Sequence, residues 1–430
     1  MEQTLAIQKP LTGAMRSDGE PLDLKAYEAS GGYQALRKVL RTMKPAELTQ
    51  VVKDANLKGR GGGGFSAGRK WSLMPSVEAG PHPRYVAING DEMEPGSFKD
   101  RLLLERNPHM VIEGTILAGY ALDADSGIIF LRWAFKKAMR ALERALAECY
   151  EAGYLGSNVL GTDFGMHIHT HESAGRYMAG EAAGMLNAIE GKRAVPRYRP
   201  PHMTNMGLWG RPTVVNNVET IANVPHIALN GAEWFRSLSR IDEGGTKIYG
   251  VSGRVKSPGL WELPMGTTLR ELLEEHAGGM RDGFKFRAAL PGGASSAFFG
   301  EEYLDVPLGW APVEKVGKRF GTGTVVVMDD HNCPVGTVLS LQRFFARESC
   351  GWCTPCREGL PWIVRILVGL ERGEGTKEDL DLLRWHTRHI TSDRTFCELA
   401  PGAMESLSSA LEMFGEDFER HVSMHRCPWT

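Results

Sequence analysis

Apolar residues recur along this chain first at helical spacing and then in short unbroken runs. Leu48, Val51, Val52 and Ala55 follow Pro45 at i, i+3, i+4 and i+7, which predicts a helix over residues 45–57 with proline in its first turn. Residues 35–40 read as a shorter helix before it. The runs at 85–89 and 127–131 lack that period and read as buried strands, with a helix over 111–122 between them. Phe135, Ala138, Met139, Leu142, Ala145, Leu146 and Cys149 then stripe one face of another helix. Strands alternating with helices to about residue 230 predict a parallel α/β sheet.

The texture changes after that. Residues 247–255, the Ser257-Pro258-Gly259 turn, residues 260–263, a helix over 268–276 and a strand over 323–328 suggest a small α+β unit. Beyond Asp329-Asp330 the pattern is helical, with helices expected over 338–345, 360–370, 377–388 and 403–421. We divide the chain into a polar, aperiodic N-terminal extension (1–34) that wraps a neighbour or the domain surface, a first domain (35–240), a second (245–330) and a helical third (335–430). There is no internal repeat.

Composition narrows the classes. With 42% hydrophobic and 24% charged residues in 430, the chain has globular values and room for a large core. A net charge of −2 with no basic tail gives no sign of nucleic-acid binding. No apolar run approaches the ~20 residues that span a bilayer, so membrane association is expected only through partners. The first 23 residues lack a basic segment followed by an apolar one, and a cytoplasmic protein is expected.

Seven cysteines are too few and too odd for a disulfide framework. Three sit in Cys350-Gly351-Trp352-Cys353-Thr354-Pro355-Cys356, and Cys397 follows after forty residues. Four thiolates so spaced can hold a [4Fe-4S] cube, three corners from a loop and one from a remote segment. Structural zinc usually pairs two C-x2-C knuckles, which this loop fits poorly. Cys149, Cys333 and Cys427 are read as reduced structural thiols.

Gly59-Arg60-Gly61-Gly62-Gly63-Gly64-Phe65 contains a formal G-x-G-x-x-G, but it follows a helix rather than a strand, unlike an ordinary dinucleotide turn. Bare backbone N–H groups, the Lys70 cation and the Phe65 ring still suit a nucleotide-like ligand. Asp91, Glu92 and Glu94 crowd the end of the first strand, where α/β sheets form ligand crevices. His167, His169 and His171 alternate along a strand and are expected to form a polar face rather than a metal site.

Together these segments resemble the NADH-binding flavoprotein subunits of respiratory complex I. The resemblance spans about residues 30–420 and rests on ordered motifs: 59–71, 89–101 (NGDEMEPGSFKDR), 177–193, 207–220 (GLWGRPTVVNNVET), 252–266 (SGRVKSPGLWELPMG) and 344–359 (FFARESCGWCTPCREG). It implies a multidomain α/β protein with a Rossmann-like FMN domain, a ubiquitin-like β-grasp domain and a C-terminal helical bundle holding a [4Fe-4S] cluster. It implies hydride transfer from NADH to FMN, then single electrons to the cluster and on to partner subunits. Carried over by motif, FMN would be held by Gly59, Gly61, Lys70, Asn89, Asp91, Glu92, Tyr177, Gly180, Glu181, Asn216 and Asn217. NADH would meet Gly62, Gly63, Gly64, Phe65 and Glu94, with Arg199 and His202 near its adenosine. The cluster would be ligated by Cys350, Cys353, Cys356 and Cys397. Expected partners are other peripheral-arm subunits of complex I, the thioredoxin-like [2Fe-2S] subunit and the large iron–sulfur subunit, on the inner face of the cell membrane.

The chain departs from the family pattern around the nucleotide. Gly180-Glu181-Ala182-Ala183 stands where Gly-Glu-Glu-Thr is usual, and Arg132-Trp133-Ala134-Phe135 replaces Arg-Gly-Glu-Tyr. His202 replaces a phenylalanine, and Gly90 an alanine. Loss of carboxylates beside an adenosine ribose would ease acceptance of a 2′-phosphate, hence of NADPH. A weakened nucleotide pocket, leaving an electron-relay subunit, is the other alternative to NADH oxidation.

Overall fold

In the computed structural model, residues 7–76 and 80–429 are described. Strands β1 (Tyr85–Gly90), β2 (Ser126–Arg132), β3 (His167–Ser173) and β4 (Thr213–Asn217) form a parallel sheet in the order β3-β2-β1-β4. Val86, Ala87 and Ile88 on β1 and residues 128–131 on β2 are buried without alternation, as expected where helices cover both faces. The helix Pro108–Leu122 buries fourteen of its fifteen residues and so runs through the core. Lys136–Glu151 buries the predicted stripe and Ala141 beside it. The helix expected over 45–57 ends at Asp54, because Asn56 turns the chain through a left-handed conformation (φ 49°) that asparagine tolerates.

From residue 7 onward the N-terminal segment does more than lie on a surface: Leu11, Leu22, Tyr27 and Tyr33 are buried in the first core and Leu24–Ala29 is a helix; residues 1–6 of that expectation lie outside the described residues. Its anchor is Glu262, a buried carboxylate that accepts from the backbone N–H groups of Leu11 (3.0 Å) and Thr12 (2.7 Å) and from the Thr246 hydroxyl (2.6 Å).

The second sheet contains β5 (Thr246–Ser252), β6 (Gly259–Pro264), β7 (Phe286–Leu290) and β8 (Thr324–Asp329) in the order β6-β5-β8-β7, with β5 and β8 parallel and the other pairs antiparallel. Strand β7 was not foreseen: Phe286-Arg-Ala-Ala-Leu290 has no β-branched residue to mark it.

Five helices make the third unit: Pro334–Glu348, Leu360–Glu371, Lys377–His389, Leu399–Met413 and Gly415–Met424. The single helix expected over 403–421 is two. Phe414 leaves helical geometry (φ −116°, ψ 26°) to set its ring against Phe298 at 5.5 Å, and Gly415 has little propensity to continue the first helix. The first of the pair also starts earlier, at Leu399, because Pro401 is tolerated in a first turn whose N–H groups have no intrahelical partner.

Buried charges lock the first sheet's helices to the second sheet. Lys99 Nζ lies 2.7 Å from Asp100 Oδ1 and 2.9 Å from Glu219 Oε2, which Lys247 of β5 also reaches at 3.2 Å.

Candidate functional site

A cavity of about 440 Å³ opens at the carboxyl ends of β1 and β4, within the usual size of small-molecule sites. From the glycine-rich loop it is lined by Gly59, Gly61, Gly62, Gly63, Gly64, Phe65 and Lys70. The β1 end supplies Asn89, Asp91, Glu92 and Glu94, and the β4 end Asn216 and Asn217. Tyr177, Gly180 and Glu181 close one side. Arg199 stands at the rim, where it pairs with Glu181 at 3.1 Å without lining the cavity. His202 is exposed and does not line it.

The glycines have distinct geometric reasons. Gly64 has φ +65°, and a Cβ there would collide with the Trp310 indole. Trp310 in turn donates its ring N–H to the Gly62 carbonyl at 3.0 Å, so the second unit pins the loop. Gly63 faces open space instead, leaving room for a ligand at the loop's crown. Phe65 is 45% exposed, an apolar ring left beside that space. Lys70 donates to the Val215 carbonyl at 2.9 Å, and burial, helped by the charge of Arg199, lowers its ammonium to about 8.

Several candidate polar groups are already engaged by the fold. Glu92 accepts from the Ser97 hydroxyl (2.6 Å) and from the N–H groups of Lys99, Asp100 and Arg101, capping the helix Lys99–Arg106. Glu181 caps Ala182–Ile189 through the Gly184 N–H at 2.7 Å. Asn217 caps Val218–Ala222 and donates to Asp100 at 2.6 Å. Two groups differ. Asp91 accepts from the Ser173 hydroxyl at 2.9 Å through one oxygen, while its buried Oδ1 has no partner among the described residues. The buried Asn216 Nδ2 is likewise without one. Burial pushes the Asp91 carboxyl up to about 6. An unpaired buried acceptor and donor in one cavity are costly unless a ligand satisfies them, so the lining fits a bound polar cofactor such as FMN.

Glu94, also in the lining, accepts from the Tyr177 hydroxyl (2.5 Å) and the Ser295 N–H (2.7 Å). Burial raises its carboxyl despite these donors. Tyr177 also packs on Phe344 at 5.1 Å and donates its backbone N–H to Glu348 at 3.0 Å, both at the end of the helix that leads into Cys350.

Cys350, Cys353, Cys356 and Cys397 gather behind that helix end in one packed cluster. Trp352 and Phe396 hold the two segments together with ring centres 5.4 Å apart. A hydrogen bond from Cys356 and the Phe396 N–H draw the Cys353 thiol down to about 6. Cys397 itself lines the cavity. The four sulfurs, three from one loop and one remote, suit an iron–sulfur cube.

Sequence reasoning singled out neither Lys99 and Asp100, which line the cavity and sit inside the 89–101 motif, nor Ser295, Arg319 and Thr322 from the second unit. The latter three are isolated positions with no motif around them. The His167, His169 and His171 face is used locally: His167 meets the Tyr150 hydroxyl at 3.3 Å, and His171 stacks on Phe130 at 5.4 Å.

A nucleotide-sized cavity with one cysteine of a four-cysteine set in its wall defines a flavin- and iron–sulfur-type electron-transfer protein. Comparison with known proteins narrows this. Residues 52–226 match the Nuo51 FMN-binding domain, 248–298 the SLBB domain, and 336–421 the NADH-ubiquinone oxidoreductase-F iron-sulfur binding region. The F subunit of NADH-quinone oxidoreductase from Salmonella typhimurium is 51% identical over 413 residues, covering 96% of this chain and 93% of the relative. Its counterpart from Escherichia coli matches with the same identity and coverage. Among solved structures, an air-oxidized NAD+-reducing [NiFe]-hydrogenase chain superposes with a TM-score of 0.81 at 32% identity, over 96% of this chain and 67% of that one. The chain belongs to the family of NADH-quinone oxidoreductase F subunits.

Proposed function

We propose that this chain is the electron-input subunit of an NADH:quinone oxidoreductase complex, taking a hydride at the cavity and releasing electrons through the four cysteines. The observation that carries this reading is Cys397: one cluster ligand forms part of the cavity wall, so the entrance and the exit share a boundary. When bound, FMN accepts the hydride of NADH and passes electrons on singly.

The chain's own residues do the rest. Asp91 and Asn216 would hydrogen-bond the flavin or its ribityl chain, with Asn89 and Gly180 shaping the edge. Lys70 and the backbone of Gly59 and Gly61 would meet its phosphate. Gly62, Gly63, Gly64, Phe65 and Glu94 border the space left for the nicotinamide nucleotide. Glu92, Glu181 and Asn217 act at one remove, by holding helix starts in place.

NADH is favoured over NADPH. Ala182 does remove a carboxylate from the lining, but the Arg199 charge is matched by Glu181 and His202 stands outside the cavity wall. Trp352 (49% exposed) and Phe396 (51%) stand beside the cluster cysteines and suit a covering partner. The peripheral-arm [2Fe-2S] and large iron–sulfur subunits fit that role. No helix among the described residues is long and apolar enough to cross a membrane, so attachment to the inner face of the membrane would run through the complex.

The test is anaerobic titration of purified, FMN-loaded protein. NADH should bleach the flavin absorbance stoichiometrically, and NADPH only at far higher concentration. No bleaching at millimolar NADH would overturn the reading in favour of a relay role.

A further inference from the structure

We propose that Cys333, Glu371, His421 and Cys427 form a second metal site, distinct from the iron–sulfur cysteines, that binds one zinc ion. One ligand atom from each residue lies within 4.8 Å of all the others. Cys333 Sγ is 3.1 Å from Glu371 Oε1 and 3.3 Å from His421 Nε2, which is itself 3.3 Å from Glu371 Oε1. A tetrahedral zinc with sulfur at about 2.3 Å and nitrogen or oxygen at about 2.0 Å needs ligand separations of roughly 3.3–3.8 Å.

The surroundings are arranged for a cation. His421 Nδ1 lies 2.7 Å from the Asp417 carbonyl. A carbonyl only accepts, so Nδ1 donates to it and the ring is held with Nε2 turned toward the site, an outer hydrogen bond usual for metal-bound histidine. Cys333 occupies the N-cap of the helix Pro334–Glu348, where the Gly336 N–H donates to its sulfur at 3.3 Å and holds it beside the other ligands. His421 is fully buried and Cys427 nearly so, with the Trp429 ring stacked over His421 at 5.9 Å.

The chemistry selects the ion. Two thiolates exclude the hard oxygen-seeking cations, and four protein ligands leave no open position for catalysis. The ligands come from the start of one helix, the end of Leu360–Glu371, the helix Gly415–Met424 and the tail beyond it. Zinc here would staple the C-terminal tail to the bundle. Glu371 lies fifteen residues beyond Cys356 along nearly continuous helix, about 22 Å at 1.5 Å per residue. Zinc has no redox chemistry, so this is a brace and not a relay.

The test uses full-length protein purified with its cofactors and freed of loose metal. Elemental analysis should give about one zinc beside about four iron atoms per chain. Zinc-edge X-ray absorption should show two sulfur and two nitrogen or oxygen neighbours. Cys427→Ser and His421→Ala should each lower retained zinc at least tenfold with iron unchanged. The proposal is overturned by protein without zinc after growth in zinc-supplemented medium, or by zinc with four sulfur neighbours, which would place it in the iron–sulfur loop. A Cys333–Cys427 disulfide found by peptide mapping overturns it too. The absorption measurement needs no variant, so a misfolded substitution cannot mask the answer.

Discussion

The Tyr177 hydroxyl stands 2.5 Å from Glu94 Oε2, joining the acid loop after β1 to the aromatic side of the cluster helix. Burial raises the Glu94 carboxyl, and this hydrogen bond is the largest influence pulling it back down. Tyr177→Phe should therefore raise Glu94 further. If NADH oxidation needs the Glu94 carboxylate, kcat/KM in a ferricyanide assay declines as pH falls through its pKa, and in the variant that decline begins at a higher pH. The loss at the acid end should be about tenfold, the effect of one hydrogen bond to a charged group. A loss that is uniform with pH would sink this role.

Asn216→Ala should weaken FMN binding by ten- to a hundredfold (about 1–3 kcal/mol), since it removes the unpartnered buried donor. Asp91, raised to about 6 by burial, offers two acceptor oxygens only above that value. FMN dissociation, followed by flavin fluorescence, should accelerate as pH falls from 7 to 5. Asp91→Asn should flatten that dependence.

Cys397→Ser should abolish the cluster. Iron per chain should fall and the cluster's paramagnetic signal vanish, while NADH-ferricyanide activity, which draws on the flavin directly, persists at a reduced level. Iron retained at about four per chain with an unchanged signal would exclude Cys397 as a ligand.

Glu219→Gln should destabilise the protein by about 3–5 kcal/mol, because Lys99 and Lys247 lose a buried countercharge. Burial opposes ionisation of Glu219, but Lys247 and Lys99 outweigh it and hold the carboxyl at about 2 against an unperturbed 4.5. A depressed carboxylate stabilises above its unfolded value and loses that contribution as pH drops through the folded one. Wild-type thermal midpoints should thus fall between about pH 4.5 and 2, and the variant's profile should be flatter there.

Gly64→Ala should disrupt the loop both through its positive φ and through the clash with Trp310. Trp310→Ala relieves the clash but not the φ, so the double variant should recover only part of the lost NADH activity. Full recovery would show that the backbone angle does not matter.

Strands β1 and β2 were legible because strands buried on both faces write themselves as unbroken apolar runs, whereas β3 showed only as alternating histidines with a partly exposed face and β4, at TVVNN, was not foreseen. Strand β7 was not, because Ala288 and Ala289 carry no β signature and their place is set by pairing with β8. Most of the residues that the motifs single out for FMN and NADH line one cavity, while Arg199 and His202 do not. Arg319 and Ser295 were not singled out, since a lone arginine or serine says nothing until folding brings it to Glu94. The sequence also could not separate Asp91 from Glu92. Both are acids at a strand end, yet one meets four donors at a helix start and the other keeps an oxygen unpaired.

The grip of Trp310 on the glycine loop has a consequence for protein engineering. The loop belongs to one unit and its clamp to another, while Cys397 enters the same cavity from a third. A chimera that imports residues 245–330 from a relative also imports a foreign clamp, and one that exchanges the helical unit imports a foreign wall. An exchange that keeps this cavity intact has to carry the loop, its clamp and the Cys397 wall together.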